Sequence, residues 1–168
     1  MITKAALIAW GLTASLVASG GARKLSSSIL SAMADAALEN PVVSGDDGPR
    51  VTMGYQVAIA WFESANGTLV IGDGHASYCW GQIYLPNGAR TREGYSGDEL
   101  VRDPAKCAKV VVRLVKTSIQ AGPADCTLCF YARGRVTDEA RRISAHRLDL
   151  IRRLLDVPLP EDDSLARL

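Results

Sequence analysis

The sequence predicts a mainly α protein with a small β element, an α+β chain in which helices dominate. Three observations carry that expectation. Apolar residues recur at three- and four-residue spacing in separate stretches: Ile29, Leu30, Met33, Ala36 and Ala37; then Val110, Val111, Leu114, Val115 and Ile119; then Ile143, Leu150, Ile151, Leu154 and Leu155. Helix starts and stops flank them, at Asp103-Pro104, Thr137-Asp138-Glu139, Asn40-Pro41 and Gly122-Pro123. The β-branched run Thr68-Leu69-Val70-Ile71 is short and sits between turn formers, Asn66-Gly67 before it and Gly72-Asp73-Gly74 after it.

Residues 1–22 begin with Lys4 and an uncharged run from Ala5 to Ala22. Three readings stay open for this segment: a cleaved signal peptide ending at the small residues 18–22, an uncleaved anchor, or a buried N-terminal helix. Gly11, Thr13 and Ser15 weaken it as a membrane span. Residues 23–50 hold a helix over 24–39, with serine N-caps at 26–28, and a turn-rich connector, Ser44-Gly45-Asp46-Asp47-Gly48-Pro49. Asn40-Pro41 ends the helix because the residue before proline disfavours helical backbone. A central helix over 51–64 is apolar on more than one side, the pattern of a buried helix. Asp103 caps a helix whose first residue is Pro104, and Gly122-Pro123 stops it. A short helix runs from Cys126 past Tyr131 to Gly134, and Thr137 opens the last one. The body of the domain is therefore read as 51–157, with a polar tail at 158–168.

With 168 residues, 48% of them hydrophobic and a net charge of +1, the chain fits a single domain with its own core. No overall field attracts nucleic acid. The cationic cluster Arg141, Arg142, Arg147, Arg152 and Arg153 reads as a solvated helix face, or as attraction to an anionic polymer. Four cysteines allow three disulfide connectivities. Cys79 with Cys107 would staple a glycine-rich loop to the next helix and leave Cys126 with Cys129. A single Cys-x-x-Cys argues against structural zinc, and free thiols are the other alternative. No metal or other cofactor is expected, and the chain reads as a monomer. His75 lacks a nearby Ser-Asp set at any recognised spacing and reads as a loop hydrogen-bonding residue, His146 reads as part of the last helix's surface, and no thioredoxin-like pattern surrounds Cys126 and Cys129.

The chemistry points to residues 57–86. The central helix ends on Glu63, directly after Trp61 and Phe62. If their rings shield the acid, desolvation keeps it protonated near neutrality, as a proton donor needs. The glycine-rich loop that follows carries one more acid, Asp73. Ser77, Trp80 and Gln82 are residue types found at sugar sites, and Tyr84 and Tyr95 add aromatic faces that stack on sugar rings.

Glu63-Ser64, the element Ser77-Tyr78-Cys79-Trp80-Gly81-Gln82-Ile83 and Tyr131-Ala132-Arg133-Gly134 together resemble the lysozyme-like superfamily of soluble lytic transglycosylases and goose-type lysozymes. Cys79 stands where that family has glycine, and Ala132 where it has asparagine. The resemblance implies a lysozyme-like helical domain with a small β-hairpin or loop beside an active-site cleft. It implies cleavage of the β-1,4 bond of peptidoglycan glycan strands, with Glu63 as general acid, Asp73 as the candidate second acid and Tyr131 beside Glu63. A non-catalytic glycan-binding module on the same fold is the alternative. Either would act in the periplasm, outside the cell or from a phage, touching a membrane only if residues 1–22 stay attached as an anchor.

Overall fold

Residues 2–160 are described by a computed structural model. The tail expected at 158–168 lies outside the described residues from position 161 onward. Among the described residues are seven helices: α1 (Lys4–Ala18), α2 (Ser27–Glu39), α3 (Gly48–Ser64), α4 (Gly97–Arg102), α5 (Pro104–Ala121), α6 (Cys129–Arg133) and α7 (Asp138–Leu155). A small antiparallel sheet, β1 (Ile71–Gly72), β2 (Ser77–Tyr78) and β3 (Ile83–Tyr84), lies between α3 and α4 and is ordered β1-β2-β3. Its register pairs Ile71 with Tyr78 and Ser77 with Tyr84.

The helix signals act as their chemistry predicts. Ser26 Oγ accepts from the Ile29 amide, Asp103 Oδ1 from the Ala105 amide and Thr137 Oγ1 from the Ala140 amide, each satisfying a donor that the first turn leaves free. Ser96 and Glu99 form a reciprocal capping box on α4. The central helix starts three residues earlier than expected, because Gly48-Pro49 opens it rather than ending the connector. The β-branched run forms strand only at its end, from Ile71.

The core is shared by helices from both ends of the chain. Packing runs α2 on α5, α1 on α3 and α3 on α7. Leu7, Trp10, Met33, Met53, Val57, Val111 and Leu154 belong to one buried cluster. Trp10 Nε1 donates to Val157 O at 2.8 Å, joining the first helix to the turn after the last. In this fold, residues 4–18 are thus a packed core helix. No helix among the described residues is long and apolar enough to cross a membrane.

Two disulfides are present, Cys79–Cys107 and Cys126–Cys129. The first ties the end of β2 to α5 across 28 positions of chain, with both cysteines buried. A closed loop of that length restricts the unfolded chain by about 3–4 kcal/mol. The double variant Cys79→Ala, Cys107→Ala is accordingly expected to lose about that much stability in urea denaturation. A midpoint equal to that of the parent would show that the bond does not stabilise the protein by restricting its unfolded chain.

Candidate active site

Glu63 is the penultimate residue of α3, and the backbone after it is pinned. Ser64 Oγ donates to Ala60 O at 2.9 Å and accepts from the Gly67 amide at 2.9 Å. Ala65, Asn66 and Gly67 follow with φ of +48°, +60° and +78°, three left-handed residues that turn the chain sharply off the helix. Asn66 Nδ2 holds that turn to α1 and its exit by donating to Ser15 O at 3.0 Å and Arg23 O at 3.1 Å. Local strain of this kind persists only where surrounding contacts determine it, and these contacts fix where Glu63 projects.

The Glu63 side chain is 22% exposed. Its Oε1 accepts a hydrogen bond from Arg147 Nη2 of α7, forming an ion pair. Arg147 is 5% exposed, and its guanidinium lies 5.6 Å from the centre of the Tyr131 ring. The Tyr131 hydroxyl donates to Gly81 O at 2.8 Å. Gly81 allows that approach, because a Cβ there would collide with Val111 Cγ2 and lie 3.2 Å from the Tyr131 hydroxyl.

Burial pushes the Glu63 carboxyl above the usual glutamate range. Arg147 and, less strongly, Arg133 pull it down, and the Asp73 charge adds a small upward push. The C-terminal end of α3 acts in the same direction as burial, because a helix dipole disfavours negative charge there. Burial, then the nearby Glu63 charge, also raises the Tyr131 hydroxyl, against the opposing pull of Arg147, so Tyr131 is a neutral phenol at working pH. The arrangement is a carboxyl raised by burial beside a neutral hydroxyl, with a cation in contact.

The other expected site residues are only partly gathered here. Asp73 is exposed in the turn between β1 and β2, at φ +49°, and accepts from Ser77 Oγ at 2.5 Å. Ser77 is 2% exposed, so its hydroxyl serves that turn. Trp80 was expected to present a ring to sugar, but it is 2% exposed and lies in the main core cluster. Gln82 donates from Nε2 to Leu69 O and Cys79 O, both at 3.0 Å, and so ties the loop together. Tyr84 is 64% exposed and free to stack. Tyr95 lies elsewhere, in a cleft of about 310 Å³ between α2 and α5 lined also by Asp35, Glu39, Lys106 and Lys109. The Lys106 ammonium sits 5.0 Å from the Tyr95 ring centre. Phe62, expected to shield Glu63, is 43% exposed, and Trp61 packs against the main core. The group in contact with the acid is Arg147.

Arg147 is the residue that sequence reasoning misplaced on a solvated face. The signal was present: Ala140, Ser144, Arg147, Ile151 and Leu154 follow one another at four- and three-residue steps, and all are buried. An arginine on that stripe lies inside. Among the described residues no group of three or more His, Cys, Asp or Glu side chains is arranged to hold a metal ion. No family model, curated protein or solved structure matches the chain.

Proposed function

We propose that this protein is a peptidoglycan-cleaving glycosidase of lysozyme-like type, a lytic transglycosylase or muramidase that cuts the β-1,4 bond between N-acetylmuramic acid and N-acetylglucosamine. The observation that supports the reading is the Glu63 carboxyl at the end of α3: mostly buried but still 22% exposed, raised above its ordinary range, and in contact with Arg147. The backbone at position 79 adds support. Its φ is +58°, a conformation that glycine adopts freely, and glycine is what the resembled family has there.

In the proposed step the Glu63 O–H bond breaks as its proton passes to the glycosidic oxygen. The bond from that oxygen to the muramic acid C1 breaks with its electron pair going to oxygen, and C1 becomes oxocarbenium-like. A hydroxyl then adds to C1 and returns a proton to the Glu63 carboxylate. If it is the sugar's own 6-hydroxyl, the product is an anhydro end. If it is water, the product is a reducing end, with Asp73 as the group to position that water. We favour the anhydro outcome, since Asp73 is exposed and engaged with Ser77. Two disulfides accord with an oxidising compartment, so we infer a periplasmic, secreted or phage-borne protein.

A glycan-binding module without catalysis is the second reading, and the Glu63–Arg147 ion pair favours it, since a cation in contact favours the carboxylate that has already lost its proton. Incubation with purified cell walls separates the two. The glycosidase is expected to release soluble fragments whose masses show anhydro ends, whereas reducing ends would assign hydrolysis. Binding of intact walls with no release would leave the module reading.

A further inference from the structure

We propose that Arg147 is the positioning residue of this site: its guanidinium anchors the Glu63 carboxyl through Nη2 and stabilises the negative charge left on that carboxyl each time the proton leaves. This deepens the glycosidase reading and rests on it.

The geometry of Arg147 does not suit a purely structural bridge. Of its three guanidinium nitrogens, Nη2 bonds Glu63, while Nε and Nη1 are buried without a partner. A buried cation whose donors are mostly unmatched contributes little stability, and an apolar side chain commonly serves such a position at least as well. Ser144 and Ile151 flank it on the buried stripe of α7, one turn away on either side. What Arg147 does have is one directed contact with the acid and a ring, Tyr131, under its guanidinium. Those two contacts set its position relative to Glu63 and to the Tyr131–Gly81 hydrogen bond.

The consequence concerns pH. Four charged or titratable groups act on Glu63 or on its neighbour: Arg147 of α7, Arg133 and Tyr131 of α6, and Asp73 of the β1–β2 turn. Arg133 is half exposed and already paired with Glu139 at 2.8 Å. Arg147 is therefore the cation in direct contact. It opposes the burial that raises Glu63, so the acid stays ready to release its proton. Without Arg147, Glu63 holds its proton to higher pH and gives it up less readily.

The test is the pH profile of kcat/KM on purified peptidoglycan. A general acid must be protonated, so its alkaline limb follows Glu63. Arg147→Met is expected to move that limb upward by about 1–3 pH units, the size of the effect of an adjacent opposite charge, and to lower kcat more than it changes KM. Arg147→Gln, which keeps a donor but drops the charge, carries the same expectation where the methionine variant does not fold. Arg147→Lys keeps the charge and is expected to keep the limb near the parent's position. A limb that stays in place in the folded neutral variant, or that moves equally in the lysine variant, overturns the proposal. Carbon-13 titration of the Glu63 carboxyl, assigned with Glu63→Gln, reads the same coupling without catalysis. A protein inactive on walls whose Glu63 still titrates higher in the neutral variants would lose the glycosidase reading and keep the Arg147–Glu63 link. An unchanged titration would remove the link whatever the activity.

Discussion

Glu63→Gln is expected to abolish the clearing of purified cell walls, with a loss of roughly 10²–10⁴-fold in rate, the contribution of a positioned general acid. The amide is close to isosteric, and its oxygen can still accept the Arg147 hydrogen bond, so the circular dichroism of the fold should be unchanged. What it lacks is a proton that a leaving-group oxygen can take. Stability should respond as well. The folded carboxyl is raised, so between the ordinary glutamate range and that raised value the folded state holds a proton that the unfolded chain has released. Stability of the parent therefore falls as pH rises through that window, and Glu63→Gln should flatten this part of the curve. Wall clearing at the parent rate by the glutamine variant would remove Glu63 as the acid. A parent stability that does not fall with pH across that window would show that the enclosure of Glu63 is not felt as desolvation.

The helices of this fold were legible because their signals are local. Asp103-Pro104, Thr137 and Ser26 each satisfy amides of the turn they open, and nothing distant is needed to read them. Glu63 was legible for a related reason: an acid ending an apolar helix is conspicuous. The surroundings of Glu63 were not legible, and two causes are visible. In α7, buried Arg147 shares its helix with the exposed arginines Arg142, Arg152 and Arg153, so composition masked its place on the stripe. In the loop after β2, Cys79 and Gln82 have φ of +58° and +49°. Each left-handed residue breaks the alternation by which a strand sends neighbours to opposite faces. No count along the sequence could then say which way Trp80 points. For α1 the difficulty is a third one. The segment is apolar all round, so its sequence does not distinguish a leader from a core helix, and only the packing of Leu7, Trp10 and Ala14 shows which side is buried in this fold.

Trp80 supplies the second large effect, and here the burial and the sugar-site expectation predict opposite results. A ring that lines a glycan groove can be cut back to alanine with little loss of stability and a clear rise in KM. A ring that is 2% exposed within the main cluster cannot. Trp80→Ala is expected to destabilise the fold by about 3–5 kcal/mol, the usual penalty for emptying a tryptophan site. That is a large share of the roughly 5–15 kcal/mol that holds a small domain together. At urea slopes of about 1–3 kcal/mol/M the midpoint should fall by about 1 M or more. Trp80→Phe should behave quite differently. The indole Nε1 is buried without a hydrogen-bond partner, and an unmet donor of that kind costs about 1–3 kcal/mol. Phenylalanine discards the donor while keeping most of the apolar volume, so its loss of packing is offset and the net change should stay within about 1 kcal/mol. KM on cell walls should then match the parent in the phenylalanine variant, because the side chain contacts the core and not the substrate. A stable Trp80→Ala protein with a raised KM would reverse the assignment and return Trp80 to the wall of the glycan site. A Trp80→Phe protein as unstable as the alanine variant would show instead that the indole N–H has a partner in the folded protein.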